Sequence, residues 1–366
     1  MKFRCERDAL ADALATVQRG VSTRPGIPAL TGVMLETAED GLVLTTTDLE
    51  VSTQVRVPVE VAEEGRVLVP ARLVAEMVKS LPPDAVDVEA DGSQAKLRCR
   101  SFEGTLRCLS AEDFPQLREP DGITLTADAL AFGEGVGQVA RAASRDEARP
   151  ILTGVLMEAT PEGLTLVATD SYRLAIREVQ ATGSGEGKAL IPERAVSEVG
   201  RAATAVEKGQ VEITLGDAQA AFSVGDLRLI SRLIEGEFPN YHQLIPEPGG
   251  NTLEAPRQDL LEAVRRVGLL ARDNAPVKVE LNALGLRLTS SSPDLGDAVE
   301  ALEATYEGEE ITVAFNPGYL ADGLSGVAAE RVRMEVRDGL KPAILRGSGD
   351  EFTYLVMPVR LPAPVG

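Results

Sequence analysis

Apolar residues recur along this chain with two different spacings, one typical of helices and the other of strands. After Arg7 and Asp8, the residues Leu10, Leu14 and Val17 fall at i, i+4 and i+7, which places them on one helix face. Segments such as Val86–Glu89 alternate apolar and polar residues, as strands with one solvated face do. The pattern therefore predicts amphipathic helices packed on sheets.

The same arrangement returns twice further along the chain. Matching apolar positions of the first helix are Leu130, Val136, Val139 and Ala140, and then Leu260, Leu261, Val264 and Val267. A second helix is predicted after Pro70, Pro192 and Pro317, because proline suits the first helical turn. Its predicted apolar positions are Leu73, Met77, Val78 and Leu81; Val196 and Val199; Leu320, Leu324 and Val327.

The segment Ile151–Arg177 shows most clearly that the chain is a repeat. It predicts two short strands around a turn, followed by a polar corner. Thr153 and Asp170 stand 122 residues after Thr31 and Asp48 (153−31 and 170−48), within matching Thr-Gly-Val and Thr-Asp sequences. A weaker third copy surrounds Gly285, again 122 residues after Gly163 (285−163).

A period near 120 residues is too long for a solenoid unit and indicates globular domains in a row. We predict an α+β fold of three repeated domains, each with two helices packed on an antiparallel sheet. The boundaries are placed at turn-rich segments, giving domains 1–120, 121–249 and 250–366. By period alone, duplication of a stable domain without a shared function remains open.

Composition narrows the class of protein. The chain is 44% hydrophobic and 26% charged, and no run approaches the ~18 apolar residues of a membrane span. Its N-terminus has no apolar segment of the kind found in signal peptides. Cys5, Cys99 and Cys108 lack metal-ligand spacing and are expected to be reduced, buried thiols. We therefore expect a cytoplasmic protein without a metal or another cofactor.

Several segments together resemble one family, the bacterial sliding clamp, which is the beta subunit of DNA polymerase III. The resemblance covers the whole chain in the right order and agrees with the threefold repeat. The segments that carry it are MKFRCER at the N-terminus, Arg24–Pro25, Pro28–Leu30, Thr47–Glu50, Ala168–Ala175 and Val356–Leu361.

The resemblance implies a head-to-tail homodimer that forms a closed ring around duplex DNA. Such a clamp is a processivity factor and no enzyme. It contacts DNA without regard to sequence and is handled by a clamp loader. It tethers the polymerase III alpha subunit, other polymerases and repair proteins through a hydrophobic peptide-binding pocket. No membrane partner is implied.

A net charge of −20 argues against a nucleic-acid partner unless the basic residues are segregated. Basic residues do cluster on or just after the predicted helices. By the resemblance these helices line the hole of the ring, where basic side chains attract DNA. For any one of them, a solvated helix face is the plainer explanation. The set expected to face DNA is Arg24, Arg141, Arg145, Arg149, Arg194, Arg201, Lys208, Arg265, Arg266 and Arg272.

The peptide pocket implied by the resemblance lies between the second and third domains. One wall would be Leu152, Thr169, Tyr172, Arg173, Leu174, Pro239, Gln243 and Leu244. The other would be Pro342, Ile344, Leu355, Met357, Pro358, Val359, Arg360 and Leu361. The alternative to a pocket wall is that the C-terminal strand is an edge strand that fills the core of the third domain. Tyr172 and Gln243 replace the basic or imidazole groups usual in the family, and the chain continues through Pro362–Gly366.

The subunit junction implied by the resemblance pairs the first domain of one chain with the third of another. Its apolar contact would be Leu106 with Leu269 and Leu270. Charged partners would be Arg98, Arg100 and Arg107 against Asp294, Asp297 and Glu300. The alternative is that these leucines belong to the cores of their own domains.

Two other functions compete with this one. An enzyme would need a catalytic set, but His242 is the only histidine and is expected at the surface or the pocket rim. Because Thr169-Asp170 recurs as Thr47-Asp48, it predicts a turn in which the carboxylate binds backbone amides. The other rival is a protein-binding scaffold that has lost the DNA role.

Overall fold

A computed structural model describes residues 1–21, 26–38, 41–206, 208–246, 249–271, 275–283, 285–349 and 351–360. Arg24, Arg272 and Leu361, which the sequence assigned to functional sites, lie outside these ranges. The α-helices within them are α1 Arg7–Val17, α2 Ala71–Ser80, α3 Ala129–Val139, α4 Glu193–Ala205, α5 Arg257–Gly268 and α6 Pro317–Gly326.

The strands fall into three groups of the same make-up. The first is β1 Lys2–Glu6, β2 Gly32–Ala38, β3 Gly41–Thr47, β4 Val51–Val57, β5 Glu60–Glu63, β6 Gly65–Pro70, β7 Ala85–Ala90, β8 Gln94–Cys99 and β9 Phe102–Arg107. The second is β10 Gly122–Asp128, β11 Gly154–Thr160, β12 Gly163–Thr169, β13 Arg173–Val179, β14 Ala181–Gly183, β15 Gly187–Pro192, β16 Gln210–Gly216, β17 Gln219–Val224 and β18 Leu227–Arg232. The third is β19 Asn251–Pro256, β20 Val277–Asn282, β21 Gly285–Ser292, β22 Gly296–Leu302, β23 Thr305–Glu307, β24 Ile311–Phe315, β25 Arg331–Val336, β26 Ala343–Gly347 and β27 Phe352–Val356.

The element order confirms the threefold repeat. Across the described residues, each repeat runs as one strand, one helix, five strands, a second helix and three strands. The hairpins that revealed the repeat are antiparallel pairs, β2 with β3, β11 with β12 and β20 with β21. The predicted α+β class is therefore confirmed.

The helix periodicity identified most of the buried faces correctly. Leu10, Leu14 and Val17 are buried in α1, and the four predicted positions of α5 are buried as well. Leu73 and Leu130 are exposed, so the prediction was wrong for these two residues. A second helix begins at each of the three prolines, as predicted. Pro70 and Pro192 end the preceding strands, whereas Pro317 is the first residue of α6.

By internal contacts the chain divides into two compact units. Unit 1 comprises Met1–Ala129 and Ala205–Leu233. It contains a sheet with the strand order β5-β1-β7-β8-β9 and a second sheet in which β10-β16-β17-β18 continues into β4-β3-β2-β6. Its main core gathers buried side chains of α1, α2 and both sheets, among them Phe3, Leu14 and Leu44.

Unit 2 comprises Leu130–Thr204 and Ile234–Gly366. Its larger sheet has the order β15-β11-β12-β13-β27-β26-β25-β19-β23, and its smaller one has the order β22-β21-β20-β24. Here β13 of the second repeat pairs with β27 of the third, with Leu174 opposite Leu355.

Each unit thus contains one seam between consecutive repeats, and both seams follow one rule. The fourth strand of a repeat pairs antiparallel with the last strand of the next repeat. In unit 1 these are β4 and β18, and in unit 2 they are β13 and β27. The seam joins repeats through backbone hydrogen bonds, which are independent of side-chain identity.

Candidate functional site

An aspartate turn follows the third strand in each of the first two repeats. Oδ1 of Asp170 accepts hydrogen bonds from the amides of Tyr172 (2.9 Å) and Arg173 (3.0 Å). Oδ1 of Asp48 does the same for the amides of residues 50 (3.0 Å) and 51 (2.8 Å). The residue after each aspartate, Ser171 or Leu49, has a left-handed backbone with φ of 82° or 77°. The predicted structural role of both aspartates is confirmed.

In the second repeat this turn also fixes a buried guanidinium group. The Nε of Arg173 donates to Oδ2 of Asp170 (3.0 Å), and its Nη1 donates to Oδ2 of Asp322 on α6 (2.5 Å). The guanidinium lies over the ring of Tyr319 at 4.4 Å from the centroid. The side chain of Arg173 is 11% exposed, so it joins the second repeat to the third rather than offering a free charge.

An apolar cluster lies directly beside this ion pair, within unit 2. Its floor is contributed by strands from both sides of the seam and by the loop after Ile234. The buried members are Leu156, Val167, Leu174, Ile176, Leu190, Tyr241, Ile344 and Leu355, and Ile151, Ile234, Phe238 and Ile245 pack against them. We call this cluster together with its rim the seam cleft.

The rim of the seam cleft is apolar and exposed. Tyr172, Leu244 and Met357 are among the exposed large hydrophobic residues. The amide of Met357 donates to the carbonyl oxygen of Tyr172 (2.8 Å), so the two walls meet. Of the remaining pocket residues, Leu152 and Thr169 are buried, Pro342, Pro358 and Val359 are half-buried, and Pro239, Gln243 and Arg360 are exposed.

Sequence reasoning missed the anchor of the loop that carries Leu244. The hydroxyl of Tyr241 donates to Oε2 of Glu158 (2.5 Å), and Lys188 forms an ion pair with the same carboxylate. Burial would raise the pKa of Glu158, but the hydrogen bonds from Lys188 and Tyr241 hold it below its usual value. A single carboxylate inside the apolar strand Gly154–Thr160 was the signal available in the sequence.

The predicted DNA-facing arginines do not share one environment. Arg141, Arg145 and Arg201 line a single groove in unit 2. Arg149 donates to Asp146 (2.9 Å) and to the hydroxyl of Ser171 (3.3 Å).

Arg194 and Arg265 are exposed, whereas Arg266 is committed to a neighbour. Arg266 bonds Glu300 through two nitrogens, at 3.1 and 2.6 Å. One residue predicted to face DNA and one predicted at the subunit junction therefore bind each other within the chain.

The predicted junction residues also divide. Leu269 is 73% exposed and Leu270 is half-buried, while Asp294 and Asp297 are exposed. Leu106 is only 3% exposed and belongs to the core of unit 1, as the intradomain alternative had it. Arg98 and Arg100 have partners within the chain, Glu103 (3.0 Å) and Asp84 (2.6 Å).

Other kinds of site find little support in the part of the chain that the structure describes. Within it, no group of three or more His, Cys, Asp or Glu side chains is arranged to hold a metal ion. None of its helices is long and apolar enough to cross a membrane. His242 is exposed, in line with the expected surface or rim position, and its ring centroid lies 4.1 Å from that of Tyr241.

Comparison with known proteins agrees with this architecture. Three family models match in succession: the N-terminal domain of the DNA polymerase III beta subunit at residues 1–118, the central domain at 127–240 and the C-terminal domain at 242–360. The chain belongs to the DNA polymerase III beta subunit family.

Individual sliding clamps are similar over essentially their full length. The beta sliding clamp of Streptomyces coelicolor is 36% identical over 376 residues, covering 99% of this chain and 100% of that protein. The one of Synechocystis is 35% identical over 389 residues, with the same coverage. The crystal structure of the Bacillus subtilis clamp superposes with a TM-score of 0.93 at 28% identity, covering 99% of this chain and 100% of that one.

Family membership settles the general role. The protein is a DNA polymerase processivity clamp and has no catalytic activity of its own. Clamps of this family act as homodimers on DNA and bind the polymerase and the clamp loader. The expectation of a DNA replication protein is confirmed, and a function as a scaffold without a DNA role loses its basis.

Proposed function

We propose that the seam cleft is the site where this clamp receives short peptide segments of the polymerase III alpha subunit, the clamp loader and other partners. One observation carries the proposal: two segments far apart in sequence, around Leu174 and around Leu355, meet as paired strands over a buried apolar floor. Exposed Tyr172, Leu244 and Met357 surround that floor. A preformed apolar cleft with an exposed rim is a common form of ligand site.

The chemistry of the cleft specifies the ligand. Met357 and the branched aliphatic side chains accept apolar side chains of different shapes, which suits one site with several partners. Because Arg173 is bound to Asp170 and Asp322, the polar part of recognition falls to exposed Tyr172, Gln243 and Arg360. A short peptide loses conformational entropy on binding, so the Kd is on the order of micromolar.

Peptide titration by fluorescence anisotropy tests this proposal. Met357→Ala and Leu244→Ala shorten the rim without touching the buried floor, and each is expected to weaken a labelled alpha-subunit peptide about tenfold, or ~1.4 kcal/mol. Leu73→Ala, an equally exposed aliphatic position in unit 1, is the matched control. Equal affinity for all three variants would show that partners bind elsewhere.

For DNA we propose contact through the exposed arginines Arg141, Arg145, Arg149, Arg194, Arg201 and Arg265, with Arg24, Lys208 and Arg272 from the sequence-based set. The observation in favour is that three of them share a groove although the chain carries a charge of −20. Arg266 is the weakest member because Glu300 and Glu262 already bind it.

The strand-pairing rule supports a head-to-tail homodimer. By that rule the fourth strand of the third repeat, β22, should receive the last strand of a following repeat. Both β22 and β9, the last strand of the first repeat, stand at the end of their sheets. Pairing β22 of one subunit with β9 of the other would extend the rule across the junction, with Leu269, Leu270, Asp294 and Asp297 beside it.

We also propose the domain boundaries 1–120, 121–249 and 250–366 and a cytoplasmic location. The boundaries are supported by the three family matches, which begin and end within about ten residues of them. A role in bacterial DNA replication supports the location, since the template is in the cytoplasm.

A further inference from the structure

The second repeat contains a groove between its two helices that follows from an unusual helix sequence. Three glycines, Gly133, Gly135 and Gly137, stand within α3. A Cβ at Gly133 would lie 2.8 Å from the carbonyl oxygen of Gly200 on α4, so this glycine allows close helix approach. Gly137 is different, because a Cβ there would meet nothing within 4 Å. It leaves open space in the groove wall.

The groove has a volume of about 390 Å³, and six of its thirteen lining residues carry groups that bind anions. Its charged and hydroxyl-bearing lining residues are Arg141, Arg145, Arg201, Ser144, Ser197, Thr204 and Glu193. Three guanidinium groups against one carboxylate make the groove cationic in a strongly acidic chain. Guanidinium and hydroxyl groups together are typical of sites for phosphate.

Neighbouring acidic groups leave part of this charge available. Arg201 pairs with Glu198, and Oε1 of Glu193 accepts the hydroxyl of Ser197 (2.5 Å). Among the described residues, no carboxylate lies within ion-pair distance of Arg141 or Arg145. These two arginines are therefore the groups that could bind a ligand without first breaking an ion pair.

The other helix pairs do not reproduce this arrangement. The helix α1, RDALADALATV, contains no glycine, and α5 has one only at its last position. In α6, Gly323 and Gly326 are used for packing, because a Cβ would meet the rings of Tyr354 and Phe352. The glycine-opened, arginine-lined groove is thus a feature of the second repeat.

We propose that this groove seats a backbone phosphate of duplex DNA between Arg141 and Arg145, with the hydroxyl of Ser144 as a further donor. This inference rests on the proposed DNA contact. It adds one defined phosphate-binding site to that contact. A diffuse lining attracts DNA at every position, whereas the groove holds one phosphodiester at a time and releases it as the clamp moves. Contacts to phosphate carry no sequence information, so sliding remains independent of sequence.

The test separates the shape of the groove from its charge. Affinity of the full-length dimer for a labelled 30-mer duplex is measured by anisotropy over a series of salt concentrations. Arg141→Gln with Arg145→Gln is expected to weaken binding about tenfold and to lower the salt slope by about one per lost phosphate contact. Gly137→Leu fills the groove without changing charge and should weaken binding severalfold. Arg194→Gln with Arg265→Gln removes two charges outside the groove and is the matched charge control, with a smaller expected effect.

Each other outcome has a definite meaning. If Gly137→Leu binds like wild type while the arginine variants all weaken binding equally, the phosphate seat is wrong and the diffuse basic lining stands. If no arginine variant changes affinity, the proposed DNA contact fails as well. The last experiment measures binding of inorganic phosphate to the protein, with chloride at equal ionic strength as the comparison. Binding of phosphate in the groove with unchanged duplex affinity in Gly137→Leu would show a free-anion site and overturn the DNA assignment. Gly137→Ala, which favours the helix, replaces Gly137→Leu if the latter does not fold.

Discussion

A single guanidinium group bridges the second repeat and the third. Arg173 bonds Asp170 on its own turn and Asp322 on α6, and it lies over the ring of Tyr319. The sequence predicts this residue only as part of a pocket wall. Its partner Asp322 is 149 positions away, and no periodicity reports a pair at that separation.

Replacing Arg173 tests its positioning role. Arg173→Ala leaves Asp170 buried without its partner and is expected to lower the free energy of unfolding by about 3–5 kcal/mol. Arg173→Lys keeps the charge but not the planar fork, so it should recover only part of this loss. Arg4→Ala removes an exposed pair with Asp87 and is the control. Urea unfolding that gives equal stability for Arg173→Ala and Arg4→Ala would contradict the role.

The Glu158 carboxylate gives stability a dependence on pH. Its pKa is lowered in the folded protein, so its contribution is present above the usual glutamate pKa of about 4.3 and is lost as pH falls through the folded value. Tyr241→Phe removes one of its donors and should cost about 2 kcal/mol at neutral pH. The difference from wild type should shrink as the pH falls below the usual glutamate pKa and through the lowered pKa of Glu158.

Urea unfolding across pH measures this difference, with Tyr172→Phe as a control at an exposed position. A Tyr241→Phe effect of the same size at every pH would mean that the hydroxyl supports packing only. The residue also illustrates what sequence analysis could not provide. Glu158 and Tyr241 are 83 positions apart, and only the fold shows that they are neighbours.

At the scale of elements, the sequence was most informative where a pattern repeats. Hairpins, helices and the aspartate turns were all predicted from the 122-residue offset and from apolar spacing. Leu73 and Leu130 were assigned to the buried face but are exposed. Apolar spacing does not show which apolar side chains near the end of a helix are covered by another element. The buried floor around Tyr241 and Phe238 was missed since it comes from a loop without periodicity.

The segment after β27 belongs to this scale, because it completes one wall of the seam cleft. Met357 bonds Tyr172, and the amide of Val359 donates to the carbonyl oxygen of Ala314 (2.7 Å). Deleting Met357–Gly366 is expected to abolish binding of polymerase and loader peptides while the dimer persists. Deleting only Leu361–Gly366 is the matched control and should retain most of the affinity.

Anisotropy and mass determination on the same samples decide between the outcomes. Retained peptide affinity in the longer deletion would place the peptide site outside the seam cleft. Loss of the dimer in the longer deletion would mean instead that the segment supports the third repeat as a whole. The contact between Val359 and β24 makes that second measurement necessary.

At the scale of the whole molecule, net charge alone would have misled. A charge of −20 argues against DNA as a partner, yet the chain belongs to a family that acts on DNA. The resolution that we propose is local, since Arg141, Arg145 and Arg201 come together in one groove. Net charge determines long-range repulsion, whereas binding at a surface depends on the charges within a few ångströms of the ligand.

The subunit junction supplies a prediction at this scale. Leu269 is 73% exposed, and burying a leucine side chain contributes about 2 kcal/mol. Leu269→Ala with Leu270→Ala is therefore expected to weaken dimerisation by at least tenfold while the fold is retained. Leu340→Ala, at another exposed leucine, is the control. Sedimentation that is unchanged by the double substitution would remove both residues from the junction.

The rule that pairs the fourth strand of one repeat with the last strand of the next has no built-in end. If the same pairing joins subunits, each added subunit presents another unpaired β22 edge. The rule by itself therefore allows the chain of subunits to grow without limit. A head-to-tail contact closes only when the rotation per copy divides a full circle, and otherwise it grows into a filament. Closure is thus a matter of angle and not of affinity. A substitution that alters the twist at a seam could turn a finite assembly into an endless one without weakening any single contact.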